Sequence, residues 1–268
     1  MSAYDENKRR AWAGHASTYE RTFAHLCAHT GEALLEAVVV GPHSRLLDVG
    51  TGTGTIAALG LARGASVTAI DPDPGMCRIA RRKADGAHVV QCALPRLPFG
   101  DGTFDAVTAN FVLNQVGDPR SAVAELRRVA RPGARVGASV WPRPLTPLHL
   151  LWEDVLDAAG VHRPEQPTVP ASLDFARTPS GLGELLTGGG LDHVVTRTVT
   201  FTHRVDPEVW WSGPANGIAS IGAIVAAQSP ATRADLKDHY DRLSRRYLGA
   251  DGLLHLPTSA VLATGVAT

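Results

Sequence analysis

The chain has 268 residues, 44% apolar and 19% charged, with 26 Lys and Arg against 26 Asp and Glu. That length and composition fit one globular α/β domain with insertions, and a formal charge of zero excludes a global pull toward nucleic acid or an anionic membrane. Three scattered cysteines, Cys27, Cys77 and Cys92, argue against a disulfide framework, and the charged start "MSAYDENKRRAW" is neither a secretory leader nor a span, so a cytoplasmic location is expected.

Residues 1–43 read as a helical N-terminal lid. Trp12, His15, Tyr19, Phe23 and Leu26 recur at three- and four-residue steps, which predicts one helix face, and Gly31 separates it from a second helix, "EALLEAVVV", ended by Gly41-Pro42. From 44 to 141 short apolar runs alternate with helical ones, the pattern of a parallel sheet with crossover helices. "RLLDVG", "SVTAID", "HVVQCA", "FDAVTANFVL" and "ARVGASVW" are the predicted strands. "TIAALGLARG", a segment from about Pro74 to Ala84, and "DPRSAVAELRRVA" are the helices between them, the last with Asp118 as N-cap and Pro119 in the first helical position.

Residues 142–268 continue the same domain with two insertions, near 142–178 and 206–250. The first carries a helix from about Pro147 to Ala159. A short helix, "GLGELLTGGG", then precedes "HVVTRTVTFTHRV", which has strand alternation, and "LLHLPTSAVLATGVA" is a final strand.

The stretch with the most chemistry is "DVGTGTGT", Asp48 to Thr55. Glycines between a strand and a helix let a ligand approach the backbone and present N–H groups at a helix start. Read from Gly52 it satisfies a dinucleotide fingerprint; read from Gly50 it is equally a loop for S-adenosylmethionine (SAM). An acid twenty-odd residues on, Asp71, suits ribose hydroxyls in either case. Asp48 discriminates: a carboxylate before the loop opposes a pyrophosphate but offsets the ammonium and sulfonium of SAM. An NAD-dependent oxidoreductase would also need hydride machinery, and the one Tyr-x-x-x-Lys, Tyr4 to Lys8, precedes the loop and reads as a coincidence in a frayed terminus.

"LLDVGTGTG", "VTAIDPDPGM", "LPFGDGTFDAVTANFVLNQVGDP" and "ELRRVARPGARVGASVW", in that order and spacing, resemble the class I SAM-dependent methyltransferases of the ubiquinone/menaquinone-biosynthesis type, the "methyltransferase 11" group. The resemblance covers roughly 44–141. It implies an α/β, Rossmann-like fold with a seven-stranded, mostly parallel sheet ending in an antiparallel pair, and helical cap insertions. It implies SAM as cofactor, with Gly50, Thr51, Gly52 and Gly54 lining its methionine end and Asp48 facing the ammonium. Asp71 would take the ribose, and Pro72 and Met76 would pack near the adenine. Cys92, Ala93 and Leu94 stand where the family has an Asp-Ala pair that reads the adenine amino group, and Asn110 falls where the family touches the methionine moiety.

Methyl transfer needs alignment more than a dedicated acid or base. His15 and Tyr19 are the candidate catalytic lid residues, and Asn114, Trp141 and Trp211 the candidate acceptor contacts, with Gln115 beside Asn114. Trp141, His149, Trp152, Trp210 and Trp211 gather in or near the cap segments, which points to a small aromatic or apolar acceptor. The Ala/Arg/Gly-rich composition is common in high-GC bacteria, where such enzymes tailor specialised metabolites. His25 and His29 have a metal-compatible spacing but no third ligand nearby, so no metal is expected. The expected partners are the small-molecule acceptor and, as a homodimer, a second copy of the chain, with neither nucleic acid nor membrane. A protein that holds SAM without catalysis is the alternative from outside enzymology.

Overall fold

The computed structural model describes residues 2–163, 165 and 167–268. It divides the N-terminal segment into α1 (Ala3–Trp12), α2 (Ala16–Arg21), α3 (Phe23–Ala28) and α4 (Gly31–Ala37). The single helix expected from Trp12 to Leu26 is therefore broken. Gly14 turns the chain at φ 81°, and Thr22 leaves helical geometry while its hydroxyl donates back to Thr18 O at 2.7 Å. Periodicity reports which side chains share a face, not whether the backbone runs unbroken between them. The start is not frayed either. Ser2 caps α1, its hydroxyl accepting from the Asp5 N–H while the Asp5 carboxylate accepts from the Ser2 N–H.

The sheet then forms from β1 (Arg45–Val49), α5 (Thr55–Ala62), β2 (Ser66–Asp71), α6 (Pro74–Lys83), β3 (His88–Gln91), β4 (Phe104–Asn110), α7 (Pro119–Val129) and β5 (Ala130–Val140). Next come α8 (Pro147–Ala158), α9 (Pro179–Gly188) and β6 (Leu191–Val205), followed by α10 (Pro207–Ala215), α11 (Ala219–Ala226), α12 (Pro230–Ser244) and β7 (Leu254–Ala267). The strand order is β3-β2-β1-β4-β5-β7-β6, with β7 antiparallel to both neighbours, so the expected seven-stranded, mostly parallel Rossmann-like sheet is what forms. Helices α6, α7, α8, α9, α10 and α12 each start with proline just after the cap, where the missing N–H costs nothing.

Parallel strands bury both faces. Leu47 packs into the layer with α7 and α9, and its neighbour Leu46 into the layer with α5 and α6; each such burial stabilises by about 1.5–3 kcal/mol. A third apolar cluster joins α8, α10 and α12 through Trp152, Trp210 and Tyr240, the Trp152 and Tyr240 rings stacking at 5.2 Å. Because β1 leads to β2 and β3 on one side while β4 and β5 lie on the other, the chain reverses between β1 and β4. A crevice opens above the strand ends at such a reversal.

Candidate cofactor and acceptor site

One cavity of about 1370 Å³ occupies that crevice. Its lower edge is the glycine loop. Gly50, Gly52 and Gly54 all have positive φ, at 63°, 55° and 85°, a conformation side-chain-bearing residues rarely adopt. A Cβ on Gly50 would also lie 2.4 Å from Val112 Cγ2. The loop is pinned by the Thr51 N–H donating to Ile70 O at 2.8 Å. Gly50 and Gly52 line the cavity, but Thr51 and Gly54 do not. Gly54 begins α5 and abuts Ala80, whose Cα is 3.0 Å from where a Cβ would stand, so its smallness serves the packing of α5 on α6.

Asp48, expected to face the ammonium, stands behind the cavity wall. Its carboxylate is buried beneath the loop, outside the cavity wall, accepting from Thr51 Oγ1 at 2.6 Å and Thr108 Oγ1 at 3.0 Å. Burial pushes its pKa up to about 6 against those two hydrogen bonds. Asp48 holds the loop in shape from below the cavity wall.

Asp71 does face the cavity. It is 8% exposed, with Oδ2 accepting the Gly52 N–H and Oδ1 the Asp73 N–H, both at 2.9 Å. Each oxygen thus retains lone-pair capacity, enough to accept a vicinal diol. Burial raises its pKa to about 7, opposed by those backbone bonds. Pro72, Met76, Cys92, Ala93 and Leu94 continue the wall beyond it as an apolar slot. Burial pushes the Cys92 thiol up to about 11, so it is a neutral wall group at neutral pH. Asn110 also lines the cavity, but its oxygen accepts from Thr30 Oγ1 at 2.7 Å and Ser139 Oγ at 2.5 Å, and Nδ2 donates to Cys27 O at 3.0 Å. Its first task is to tie the α3–α4 turn to the strand ends, leaving one amide hydrogen for a ligand.

The lid residues separate. Tyr19 lines the cavity with its ring 3.2 Å from where a Gly52 Cβ would stand, and packs edge-on against Trp12 at 5.7 Å. Burial raises its pKa well above the usual phenol value, so it stays protonated and is no base. His15 lies elsewhere, against Gly217 in a separate depression between the first helices and α11. Trp211 is likewise outside the cavity, packed on Trp152 and Tyr240, and its neighbour Trp210 reaches the wall instead. Adjacent helical residues point about 100° apart. His29 stacks on Phe201 and meets His203, and among the described residues no His, Cys, Asp or Glu group is arranged to hold a metal.

The far end of the cavity is aromatic. Trp141 stacks on Phe111 at 3.9 Å and meets His149 edge-on at 5.0 Å. His149 Nδ1 and Thr146 Oγ1 share a hydrogen bond of 2.8 Å, and Thr146 Oγ1 pairs with Thr258 Oγ1 at 2.9 Å. Burial, aided by the Arg143 charge, lowers the His149 pKa to about 4, so the ring is neutral at pH 7. Asn114 lines the wall, its backbone oxygen accepting from the Tyr4 hydroxyl at 2.8 Å and its side-chain oxygen buried with no donor. Gln115 accepts from Trp12 Nε1 at 3.5 Å.

Sequence reasoning missed Phe111, Arg143 and Arg177, counted His149 only as a cap aromatic, and dismissed Tyr4 and Lys8; all six line the cavity. For Tyr4 and Lys8 a signal was present, the Ser2 to Asp5 capping box that makes a firm helix of the N-terminus.

Residues 47–137 match the family model described as "Methyltransferase domain". A demethylmenaquinone methyltransferase of Clavibacter sepedonicus is 37% identical over 140 residues, 50% of this chain and 57% of that protein. A malonyl-[acyl-carrier protein] O-methyltransferase of Halorhodospira halophila is 39% identical over 135 residues, 48% of this chain and 45% of that one. The chain thus spans about half the length of these curated relatives. Among solved structures, a SAM-dependent methyltransferase of Thermotoga maritima superposes with TM-score 0.56 at 17% identity, covering 97% of this chain and 100% of the other. The [4+2]-cyclase SpnF superposes at 0.52 with 20% identity, covering 90% and 81%. These likenesses establish the fold, and a fold does not fix a reaction.

Proposed function

We propose, from the match of residues 47–137 to the methyltransferase domain model, that the whole chain transfers a methyl group from SAM to a small acceptor with a flat, apolar body. The observation that carries this is the continuity of one cavity from the Asp71 carboxylate, with its unused lone pairs, to the Phe111–Trp141 stack. The residues present fit the cofactor. Asp71 would hold the ribose hydroxyls, Pro72, Met76 and Leu94 the adenine, and Gly50, Gly52 and the remaining Asn110 amide hydrogen the methionine end. When bound, SAM supplies an electrophilic methyl whose displacement demands in-line approach and a dry site.

The chain's own residues supply those conditions. Tyr19 and Trp12 close the cavity over the glycine loop, and the Phe111–Trp141 pair orients a planar acceptor. His149, held by Thr146, is a neutral imidazole on the cavity wall that can accept a hydrogen bond from an attacking hydroxyl or amine. The two curated relatives are named for different acceptors, demethylmenaquinone and malonyl-acyl carrier protein. Acceptor choice in this chain rests on the wall that Phe111 and Asn114 form together with Tyr4, Trp141 and His149, three residues outside 47–137. A role in specialised metabolism is consistent with so individual an acceptor wall.

Calorimetry with SAM, S-adenosylhomocysteine and NAD, followed by transfer of labelled methyl to a panel of phenols and amines, tests the reading. Binding of NAD with none of SAM or S-adenosylhomocysteine would overturn it. Binding of SAM without transfer to any acceptor would favour a carrier.

A further inference from the structure

The roof of the acceptor end is cationic in a way that methyl transfer itself does not require. Lys8, on α1, projects into the cavity lining with only the Ser220 hydroxyl at 3.3 Å and the Tyr4 ring, 5.2 Å from the ammonium, as polar partners. Among the described residues it has no carboxylate within ion-pair distance. Burial lowers its pKa and the nearby Arg177 guanidinium lowers it further. Arg143 also lines the cavity, without an ion-pair partner among the described residues, and its backbone N–H donates to Arg177 O at 2.9 Å, which sets the two arginines on adjacent segments of chain.

The carboxylates on this side are already engaged. Asp174 pairs with Arg177, Glu153 with Arg163, and Asp5 accepts from the N–H groups of Ser2 and Gly117. Two cations therefore remain without a carboxylate partner at one lip, Lys8 half-buried and Arg143 exposed. A half-buried ammonium without a counter-charge attracts an anion more strongly than a fully solvated one does. Just inside lies the flat Phe111–Trp141 pair.

We propose that the methyl acceptor is an organic carboxylate on a planar apolar body, its carboxylate seated between Lys8 and the Arg143 and Arg177 guanidiniums and its ring system against the Phe111–Trp141 stack. Arginine provides the planar fork that suits a carboxylate, and lysine the point charge. The carboxylate is an anchor, which leaves a hydroxyl or amine elsewhere on the body to meet His149. The inference deepens the methyl-transfer reading and rests on it.

The probes are naphthoate and its uncharged amide, titrated by tryptophan fluorescence and calorimetry into the full chain saturated with S-adenosylhomocysteine. Naphthoate should bind about tenfold or more tightly than the amide, a preference that shrinks as salt screens the lip. Lys8→Gln and Arg143→Gln should each erode that preference without changing the affinity for the amide or for S-adenosylhomocysteine. Equal affinity for the two probes, binding of neither, or a preference that survives in the double variant would overturn the proposal. Failure of S-adenosylhomocysteine to bind at all would instead strike the methyl-transfer reading, so the two failures are distinct.

Discussion

Asp71→Asn separates the stability of the empty protein from its affinity for cofactor. In the wild type, burial raises the Asp71 pKa to about 7, against an unfolded value near 3.9. Between those values the folded state holds a proton that the unfolded state has released, so stability is highest at the acid end of the window and falls as pH rises through about 7. At about 1.4 kcal/mol per unit, the loss has an upper bound of roughly 4 kcal/mol. The amide does not titrate, so the variant lacks this slope. It does pay a constant cost of about 1–3 kcal/mol, because its NH₂ must face one of the two N–H donors, Gly52 or Asp73. Wild type should therefore be the more stable at pH 5, with the gap narrowing or reversing at pH 8. Asp48, also raised by burial, repels the Asp71 carboxylate, so the amide also eases ionisation of Asp48 and flattens the slope of the variant further. Thermal unfolding without ligand at the two pH values reads the difference directly. Affinity should move the other way: losing one ionic hydrogen bond to the ribose weakens S-adenosylhomocysteine binding at pH 8 by about 10- to 100-fold. Parallel unfolding curves at both pH values, or unchanged affinity, would refute the placement of a buried, ligand-facing carboxylate at Asp71.

Gly54→Ala should lower thermal stability by about 2 kcal/mol or more, since it combines a left-handed φ with a Cβ pressed on the Ala80 backbone; an unchanged melting temperature would count against the tight α5–α6 contact. His149→Gln should leave S-adenosylhomocysteine affinity intact and reduce turnover of a hydroxyl or amine acceptor by about 10-fold, the worth of one lost hydrogen bond. His15→Ala should alter neither cofactor affinity nor turnover beyond experimental scatter, because the ring lies against Gly217 and away from the cavity. Trp141→Ala removes a stacked pair worth about 0.5–1.5 kcal/mol beyond its burial, and should raise KM for a planar acceptor while the Kd for S-adenosylhomocysteine holds.

The parallel half of the fold is legible in sequence because each of its elements is specified locally. "SVTAID" is a short apolar run that became β2 at the expected bounds, and Asp118-Pro119 fixed the start of α7 by capping chemistry alone. The N-terminal helices were less legible. Their side-chain spacing survives a break in the backbone, and Thr22 is decided by a hydroxyl that turns back onto its own chain. The late strands were readable from alternation, but the pairing of β7 with β5 joins residues more than a hundred positions apart, which no local pattern encodes.

Within the site, the same boundary runs between position and direction. A motif places Asp48 and Asp71 at the ends of adjacent parallel strands, and both are buried acids with raised pKa values. What separates them is one step along the chain. Asp71 is the last residue of β2, so the backbone that turns away after it, Pro72 and Asp73, opens the cavity beside its carboxylate. Asp48 is followed within β1 by Val49, where the cavity wall begins, and its own carboxylate is closed in by Thr51 above and Thr108 on the neighbouring strand. Charge complementarity assigned Asp48 to an ammonium because a sequence supplies the charge without the two hydroxyls that consume it. The acceptor end is opaque for a related reason. Lys8, Phe111, Arg143 and His149 come from four separate segments, and only the packing of the cap onto α1 makes them one wall. The segment that matches a family model is thus specified by local pattern, while the wall at the far end of the cavity is assembled by contacts between distant segments.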